Sequence, residues 1–266
     1  MRTHHRIQSR LRPRPAGPEA ASLGSHGGAS LVSARTAGVL YLIIIAFGLF
    51  AEVIVRSRLI VPGDPGATAA NIVDSEGLFR LGFAADLVVF LCDVALAIVL
   101  YYLLRPVSRT LSLLAAAFRL TQTAIIGLNL VNMFGALLIL READYLGSFQ
   151  PSQSDALALL ALDTHRYGYT LGLTFFGVGT LIVGYLAWRS RLVPRLLGVL
   201  LALAGLGYLI DSGAFFLVPG YDGSISPILL APAIVGEVWF ALWLLLKGRR
   251  LEEPTPGPSE PTGALA

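Results

Sequence analysis

Residues 80–104 read RLGFAADLVVFLCDVALAIVLYYLL, and this stretch decides the fold class. As a helix it would rise about 38 Å, more than the roughly 30 Å of a bilayer's hydrocarbon core. Nearly every residue in it is apolar, but Asp86 and Asp93 interrupt the run. The stretch therefore predicts a membrane-spanning helix that has to shelter two carboxyl groups.

The composition extends this prediction to the whole chain. Hydrophobic residues make up 55% of the 266 residues and charged residues only 14%, whereas a soluble domain has roughly 25% charged residues. We therefore predict an all-α, polytopic membrane protein, a bundle of six transmembrane helices. The predicted spans are 36–55, 80–104, 111–140, 167–188, 196–218 and 225–246.

The distribution of Lys and Arg predicts the orientation in the membrane. If the amino terminus is inside, most of the 20 basic residues lie on cytoplasmic flanks, as the positive-inside rule requires. Both termini are then cytoplasmic. Residues 1–34, a basic tail, and 251–266 lack apolar periodicity, so we predict disorder at both ends of a transmembrane domain at 35–250. Because the basic residues are spread over several flanks, they indicate no nucleic-acid partner.

The region of the fourth span predicts two further features. Residues 153–162 mix Ser, Asp, Ala and Leu in a way that suits a short interfacial helix before the span. Within the span, Gly168 and Gly172 are four residues apart and share one helix face, which favours close helix contact. That contact is either inside the bundle or between protomers, so a homo-oligomer through span 4 remains open.

The most informative residues are polar groups inside the predicted spans. Five acids, Glu52 among them, lie there, and an ionised acid at a bilayer centre costs about 2.5–3.5 kcal/mol on insertion scales. A chain that keeps five is expected to shelter them together, so we predict one polar cavity inside the bundle. Its candidate residues are Asp86, Asp93, Arg119, Gln122, Asn129, Asp211 and Glu237.

Spans 2 and 3 should form an antiparallel hairpin, because a short turn joins them. Counting residues from that turn places Arg119 near the height of Asp93, and Asn129 near that of Asp86. We predict an ion pair between Asp93 and Arg119 with Gln122 beside it, since a buried charge needs a partner. A pair that only fixes the register of the hairpin would show the same pattern, so a functional and a structural interpretation both stay open.

The last two spans each carry one acid. Small residues around Asp211 would let a ligand or another helix approach it closely. Pro232 lies near Glu237 and frees the carbonyl of Ile228, so an acid and a free carbonyl share one depth, as in an ion or proton site. A protonated, hydrogen-bonded Glu237 that only packs is equally compatible with the sequence.

A second group of residues marks the predicted outer mouth of the bundle. Glu52 precedes Arg56 by four residues, the spacing of an interfacial salt bridge on a helix. Asp163 and His165 stand before span 4, where they relay protons if the segment is extended or form an ordinary boundary cluster. The candidate outer-mouth residues are Glu52, Asp163 and His165.

The sequence contains no pattern that assigns catalysis. It has no Gly-rich phosphate loop, zinc-ligand spacing, nucleophile elbow or haem histidine pair. Its single cysteine, Cys92, gives no disulfide framework. We predict no catalytic, cofactor-binding or metal-binding residue, and the sequence leans against an enzyme.

Several short motifs occur in an order that resembles a known family. The motifs are AGVLYL at 37–42, LIVPGD at 59–64, LFRLG at 78–82, CDVALA at 92–97, IGLNLVN at 126–132 and LGYLIDS at 206–212. Over roughly residues 34–248 the chain resembles the bacterial integral-membrane family named domain of unknown function 4386. The resemblance implies a multi-pass protein of the bacterial cytoplasmic (inner) membrane and transfers no activity. The positions that match include Asp86, Asp93, Arg119, Asn129 and Asp211.

Three functions are compatible with these observations. The first is a small transporter or proton-coupled carrier, because the bundle holds more acids than bases. The second is a non-catalytic membrane scaffold or sensor subunit whose buried polar residues only fix helix packing. The third is an intramembrane lipid-modifying enzyme with Asp163 and His165 as acid and base. The expected partners are the lipid bilayer and an unknown small solute or ion, and no cofactor is expected.

Overall fold

The computed structural model describes residues 33–141, 147–190 and 192–252, and for residues 248–252 it describes the backbone alone. Most of the predicted tails, residues 1–32 and 253–266, lies outside the described part of the chain. Residues 33 and 34 lie at the start of the first helix, and residues 251 and 252 at the end of the last.

Every regular element in the described residues is helical. The first span consists of α1 (Ala34–Leu49), a π-helical segment (Phe50–Arg56) and a short turn, α2 (Ser57–Leu59). The remaining helices are α3 (Pro65–Asp74), α4 (Glu76–Leu104), α5 (Arg109–Leu140), α6 (Pro151–Arg189), α7 (Arg195–Leu217) and α8 (Ser226–Glu252). Six helical stretches in the described ranges are long and apolar enough to cross a membrane. The predicted fold class is therefore confirmed.

Local sequence explains where several helices begin. Ser33 caps α1 by accepting a hydrogen bond from the amide of Thr36 at 3.1 Å. Asp64 caps α3 by accepting from the amide of Ala67 at 2.9 Å, and Pro65 follows it at the first helical position. These side chains satisfy amides that have no carbonyl partner inside the helix, and proline is tolerated where no amide is needed.

The six spanning helices form a closed ring in chain order. The first span packs against α4, α4 against α5, α5 against α6, α6 against α7, α7 against α8, and α8 returns to α1. Each helix is therefore antiparallel to both of its neighbours. We call the end that carries α3 and the loop at 218–225 the outer end, following the orientation predicted from the sequence.

The surface of the ring is apolar, the reverse of a soluble bundle. Leu91, Leu128 and Leu217 leave 73%, 76% and 81% of their surfaces exposed. Asp93 and Arg119, in contrast, are buried in the interior. Apolar side chains that point outward suit a hydrocarbon environment, and polar groups inside the ring must then find their partners there.

The buried apolar residues form two clusters, one in each half of the ring. On α4 the outer cluster reaches Phe90 and the inner cluster starts at Leu96. On α5 the inner cluster includes Ala115 and the outer cluster starts at Ile126. The polar residues at mid-depth therefore lie in a layer between two apolar cores.

Glycines bring α6 close to both of its neighbours. A Cβ added at Gly172 would overlap Ile126 of α5, and one at Gly184 would overlap the backbone of Ala202 in α7. Gly168 in the same way makes room for the side chain of Asn129. The close contact predicted for Gly168 and Gly172 is thus made inside the bundle, while an oligomer through this span stays a prediction.

The prediction of a separate interfacial helix at 153–162 is wrong. α6 runs unbroken over 39 residues, from Pro151 to Arg189, and rises about 58 Å. Its first turns extend past the hydrocarbon layer and pack against α3, where Ile72 and Leu162 share the outer apolar cluster. α6 packs against both α3 and α5. These contacts keep residues 153–162 in the same helix as the span, although their composition is polar.

Candidate functional site

A cavity of about 240 Å³ occupies the centre of the ring. Every spanning helix contributes to its wall, because the ring places all six around one axis. Apolar side chains such as Ile45 and Leu173 form part of the wall. The polar lining residues are Asp93, Arg119, Gln122, Tyr169, Tyr208 and Glu237.

The inner floor of the cavity is the ion pair between Asp93 and Arg119. Arg119 Nε and Nη2 donate to Asp93 Oδ1 at 2.8 and 2.5 Å, and Thr123 Oγ1 donates to Asp93 Oδ2 at 2.7 Å. Arg119 Nη1 donates to the hydroxyl of Tyr41 at 3.3 Å. The predicted ion pair is therefore present, and both carboxylate oxygens are occupied, which offsets much of the cost of burying the charges.

Arg119 also separates the central cavity from a much smaller one. A cavity of about 10 Å³ lies toward the inner end and is lined by Arg119, Ser112 and Thr180. That volume is close to the space that one water molecule needs. The central cavity therefore ends at the ion pair.

Glu237 is the second carboxyl group in the cavity wall. It lies near the middle of the spanning stretch Ser226–Lys247, and the hydroxyl of Tyr208 donates to its Oε1 at 3.1 Å. No ion pair among the described residues includes Glu237. Its charged neighbours are Arg119 and Asp93, which already neutralise each other. The cavity thus contains a carboxyl group without a cation of its own.

Gln122 adds a second acceptor without a partner. Its residue surface is 6% exposed, it lines the cavity, and its Oε1 is buried with no hydrogen-bond donor among the described residues. A buried oxygen that lacks a donor costs about 1–3 kcal/mol. That oxygen has almost no accessible surface, so a molecule in the cavity does not reach it while the side chain keeps this position.

Asp86 does not line the cavity, because Arg56 binds it at the outer end. Arg56 Nη1 donates to Asp86 Oδ2 at 2.6 Å, and Arg56 Nε donates to Glu52 Oε2 at 2.7 Å. The salt bridge predicted between Glu52 and Arg56 is present, but the prediction that Asp86 lines the central cavity is wrong. Counting residues along the first hairpin does not bring Arg56 and Asp86 to one height, because Arg56 lies three residues before the end of α2 and Asp86 ten residues after the start of α4.

The π-helical segment orients this outer cluster. Within it Ala51 and Val55 are buried against the ring, while Glu52 is exposed. Val55 packs where Gly82 of α4 leaves space, since a Cβ on Gly82 would lie 2.8 Å from the Val55 side chain. A local widening of the helix at a functional or closely packed position is typical of π-bulges.

Asn129 also lies outside the cavity, where it joins α5 to α6. Its Nδ2 donates to the carbonyl of His165 at 2.6 Å, and its Oδ1 accepts from Asn132 at 2.8 Å. His165 is buried, whereas the Asp163 side chain is about half exposed and lies 3.8 Å from Arg166. Because residues two apart on a helix face different sides, Asp163 and His165 are not brought together, and the acid and base suggested for a lipid-modifying enzyme do not form a pair.

Asp211 lies at the outer end and not in the central cavity. Its Oδ1 accepts from the hydroxyls of Tyr221 and Ser226, both at 2.5 Å. The carboxylate raises the pKa of Tyr221, because loss of the phenolic proton would break the hydrogen bond that this hydroxyl donates. Asp211 and Glu52 both line an open basin of about 960 Å³, which Asp163 and His165 do not line.

The outer basin and the central cavity are one helical turn apart on two helices. Leu49 lines the cavity and Glu52 the basin, and Tyr208 and Asp211 on α7 have the same relation. Three residues along a helix span about 4.5 Å. Only about one helical turn therefore separates the cavity from the basin.

Of the seven predicted cavity residues, the structure brings four together and leaves three elsewhere. Asp93, Arg119, Gln122 and Glu237 line the cavity, and Asp86, Asn129 and Asp211 do not. Sequence reasoning missed Thr123, Tyr41 and Tyr208, which hydrogen-bond to the charged groups. Thr123 follows Arg119 by four residues and so shares its helix face, which was a usable signal. Tyr41 and Tyr208 gave no such signal.

The described side chains offer no ready metal site. Among them no group of three or more His, Cys, Asp and Glu residues is placed to hold an ion. Both oxygens of Asp93 already accept hydrogen bonds. Glu237 is thus the acid of the cavity that is open to a ligand.

The sequence comparisons place this geometry in a family. A family model described as Domain of unknown function (DUF4386) matches residues 36–248. The chain belongs to this family. A curated relative, "Uncharacterized protein" from Archaeoglobus fulgidus, is 32% identical over 170 residues, which cover 64% of this chain and 85% of the relative. No solved structure matches the chain.

The DUF4386 match includes the whole ring from α1 to most of α8. The central cavity and the outer basin both lie within it. Neither the family's description nor the relative's name gives an activity. A function for this multi-pass DUF4386 protein must be argued from the cavity itself.

Proposed function

We propose that this DUF4386 protein is a proton-coupled carrier that moves a small solute across the membrane through the central cavity. One observation carries the proposal. A cavity lined by all six spanning helices contains a carboxyl group, Glu237, that has no cation partner among the described residues. A purely structural acid would be expected to have its charge balanced by the protein, as Asp86 and Asp93 do.

Proton coupling follows from the electrostatics around Glu237. The titratable groups that face it are Tyr208 on α7, Tyr169 on α6, Tyr41 on α1 and the pair of Asp93 on α4 and Arg119 on α5. Asp93 and Arg119 cancel in net charge, so the protonation of Glu237 sets the charge of the cavity. In a low-dielectric interior an ionised carboxylate needs a cation beside it. Release of the proton is therefore coupled to the binding of another positive charge.

The geometry corresponds to one state of a carrier cycle. Toward the outer end only about one helical turn separates the cavity from the basin. Toward the inner end the Asp93–Arg119 pair closes the cavity. We propose that the ion pair is the inner gate and that the structure represents an outward-facing state.

The same proposal includes the cellular setting. We place the chain in the bacterial cytoplasmic membrane with both termini inside, supported by the distribution of Lys and Arg on the flanks. In this setting the bilayer lipids and a small solute or ion are its partners.

The proposal is tested by proton flux in proteoliposomes. Purified full-length protein is reconstituted with a pH-sensitive dye inside, and a pH gradient is imposed with and without the dialysable fraction of a cell extract. We expect flux above that of empty liposomes for the wild type and at least a tenfold loss for Glu237→Gln. Asp163→Asn, which changes a half-exposed acid outside the cavity, should retain the flux.

Two outcomes would reject the carrier. One is wild-type flux no higher than in empty liposomes, and the other is equal flux for wild type and Glu237→Gln. Either would favour the alternative of a membrane scaffold or sensor subunit. That alternative is supported by the hydrogen bonds that Asp86, Asp93 and Asn129 form between helices.

A further inference from the structure

We infer that the central cavity binds a small lipophilic organic cation with at least one N–H group, which enters from the hydrocarbon layer between α1 and α8. Its transport rests on the proposed function, but its binding does not. The inference follows from four features of the cavity: its carboxyl group without a cation, its aromatic surface, its size and its opening.

The cavity presents a carboxyl group that lacks a cation. Among the described residues Glu237 accepts a hydrogen bond from Tyr208 alone. The guanidinium of Arg119 is engaged by Asp93 and by the hydroxyl of Tyr41. An anion would therefore meet a carboxyl group without a cation to bind it. An ammonium group donates a hydrogen bond to Glu237 and supplies the missing charge.

The wall beside these acceptors is aromatic. Tyr169, Phe176 and Tyr208 line the cavity, and the ring centroids of Phe176 and Tyr208 lie 5.1 Å apart. The guanidinium of Arg119 already lies over the Phe176 ring, at 5.2 Å from its centroid. Aromatic faces attract cations, most strongly where water is excluded. The wall can thus hold a second cation next to Glu237.

The volume limits the size of the ligand. An apolar cavity of about 150 Å³ holds a benzene molecule, and this one measures about 240 Å³. A ligand with one ring and a short amine arm fits that space. Its apolar part would contact Ile44, Ile45 and Leu173, which line the cavity on the first span and α6.

α1 and α8 are close at the inner end of the ring. A Cβ on Gly38 would lie 2.6 Å from the backbone nitrogen of Leu245. Near the outer end no described atom lies within 4 Å of a Cβ placed on Gly48. There α8 is close to α7 instead, since a Cβ on Gly207 would overlap the carbonyl of Leu229. The two helices therefore diverge toward the outer end.

The cavity wall reaches the protein surface at this divergence. Leu49 and Ile234 both line the cavity, yet 57% and 67% of their surfaces are exposed. They lie on apolar spans that face the hydrocarbon layer. A gap lined by Leu49 and Ile234 admits an apolar molecule from the membrane, while the polar outer basin suits its release into water.

Binding of the cation is coupled to the release of a proton from one side chain, that of Glu237. The carboxyl group of Glu237 loses one proton when one monovalent cation binds, so the net charge of the cavity does not change. Tyr41, Asp93, Arg119, Tyr169 and Tyr208 are the other titratable or charged groups that face this position. The ion pair among them stays neutral as a unit. The geometry thus supports exchange of one proton for one organic cation.

The experiment compares three ligands of similar shape and different charge. Full-length protein in detergent is titrated by calorimetry with 2-phenylethylammonium, 2-phenylethanol and phenylacetate. We expect the ammonium ion to bind at least about tenfold more tightly than the other two, since a hydrogen bond between two charged groups is stronger than a neutral one. Glu237→Gln should weaken the ammonium ion about tenfold or more, Phe176→Leu should weaken it several-fold by removing an aromatic face, and Asp163→Asn should leave it unchanged.

The outcomes separate this inference from the carrier proposal. Equal or tighter binding of the alcohol or the carboxylate would overturn the ligand class, as would ammonium binding that both Glu237→Gln and Phe176→Leu leave unchanged. If Glu237→Gln does not fold, Phe176→Leu and competition among the three ligands decide the question. Flux that depends on Glu237 without ammonium binding would keep the carrier and reject the ligand class. Ammonium binding without flux would keep the ligand class and reject the carrier.

Discussion

At the scale of single residues, the buried charges differ in how completely they are paired. Arg119 and Thr123 donate hydrogen bonds to the two oxygens of Asp93, and Arg56 forms an ion pair with Asp86. Glu237 has only the hydroxyl of Tyr208. Since full pairing is typical of residues that hold a structure together, the incompletely paired acid is the one expected to act on a ligand.

Replacement of Arg56 should show how much its pairing stabilises the fold. Arg56→Met leaves the buried Asp86 without a cation, so we expect the free energy of unfolding to fall by about 3–5 kcal/mol. Arg58→Met is the matched control, because Arg58 is exposed two residues away and should change stability by less than about 0.5 kcal/mol. Denaturant titration in detergent micelles measures both. Equal stability of the two variants would show that Asp86 does not depend on Arg56.

At the scale of helices, small residues decide how closely neighbours approach. α6 meets α7 at Gly184, where the backbone of Ala202 fills the space of a side chain. Gly198 and Gly205 of α7 make the reciprocal contacts with α6. Because no hydrophobic effect drives helices together in lipid, such close packing is a main source of their association. α6 therefore organises the half of the ring opposite the gap between α1 and α8.

Alanine scanning of two glycines tests this role. Gly184→Ala pushes a methyl group into the backbone of α7, so we expect a loss of about 1–3 kcal/mol in unfolding free energy. Gly135→Ala is the control, because no described atom lies within 4 Å of its added Cβ. The better helix propensity of alanine should make it neutral or stabilising by up to about 1 kcal/mol. Thermal unfolding in detergent compares them, and a harmless Gly184→Ala would contradict the close contact.

At the scale of the whole molecule, the closed ring creates the site. No single helix or hairpin contains the cavity, since residues from every span contribute to its wall. The polar layer lies between two apolar clusters, so a ligand at mid-depth is separated from water on the inner side by packed side chains. A carrier needs this type of barrier, and a bundle without a central space would not provide one.

The orientation of the ring in the membrane is predicted to be amino and carboxyl termini inside. In a Cys92→Ser background, Ser224→Cys in the loop at 218–225 and Thr110→Cys at the start of α5 place thiols at opposite ends. Both positions are exposed. In intact cells a membrane-impermeant maleimide should label Ser224→Cys at once and Thr110→Cys only after permeabilisation. The opposite labelling pattern would reverse the proposed direction of the carrier.

The membrane class, the six spans and the pairing of Asp93 with Arg119 could all be predicted from the amino-acid sequence. Apolar length and helical periodicity are local properties, and the short turn between α4 and α5 sets the relative height of these two residues. The depth of a residue within a span could thus be counted directly. The continuity of α6 could not be predicted from the sequence, because contacts with α3 and α5 offset a local composition that favours a break in the helix.

Only the tertiary structure decided which polar residues share the cavity. That choice depends on the rotation of each helix about its axis and on the closure of α8 against α1, helices far apart in the chain. Asp211 and Glu237 look alike in sequence, yet one faces the outer basin and the other the centre. Rotations of this kind result from the summed packing of all six helices, so no local pattern of residues specifies them.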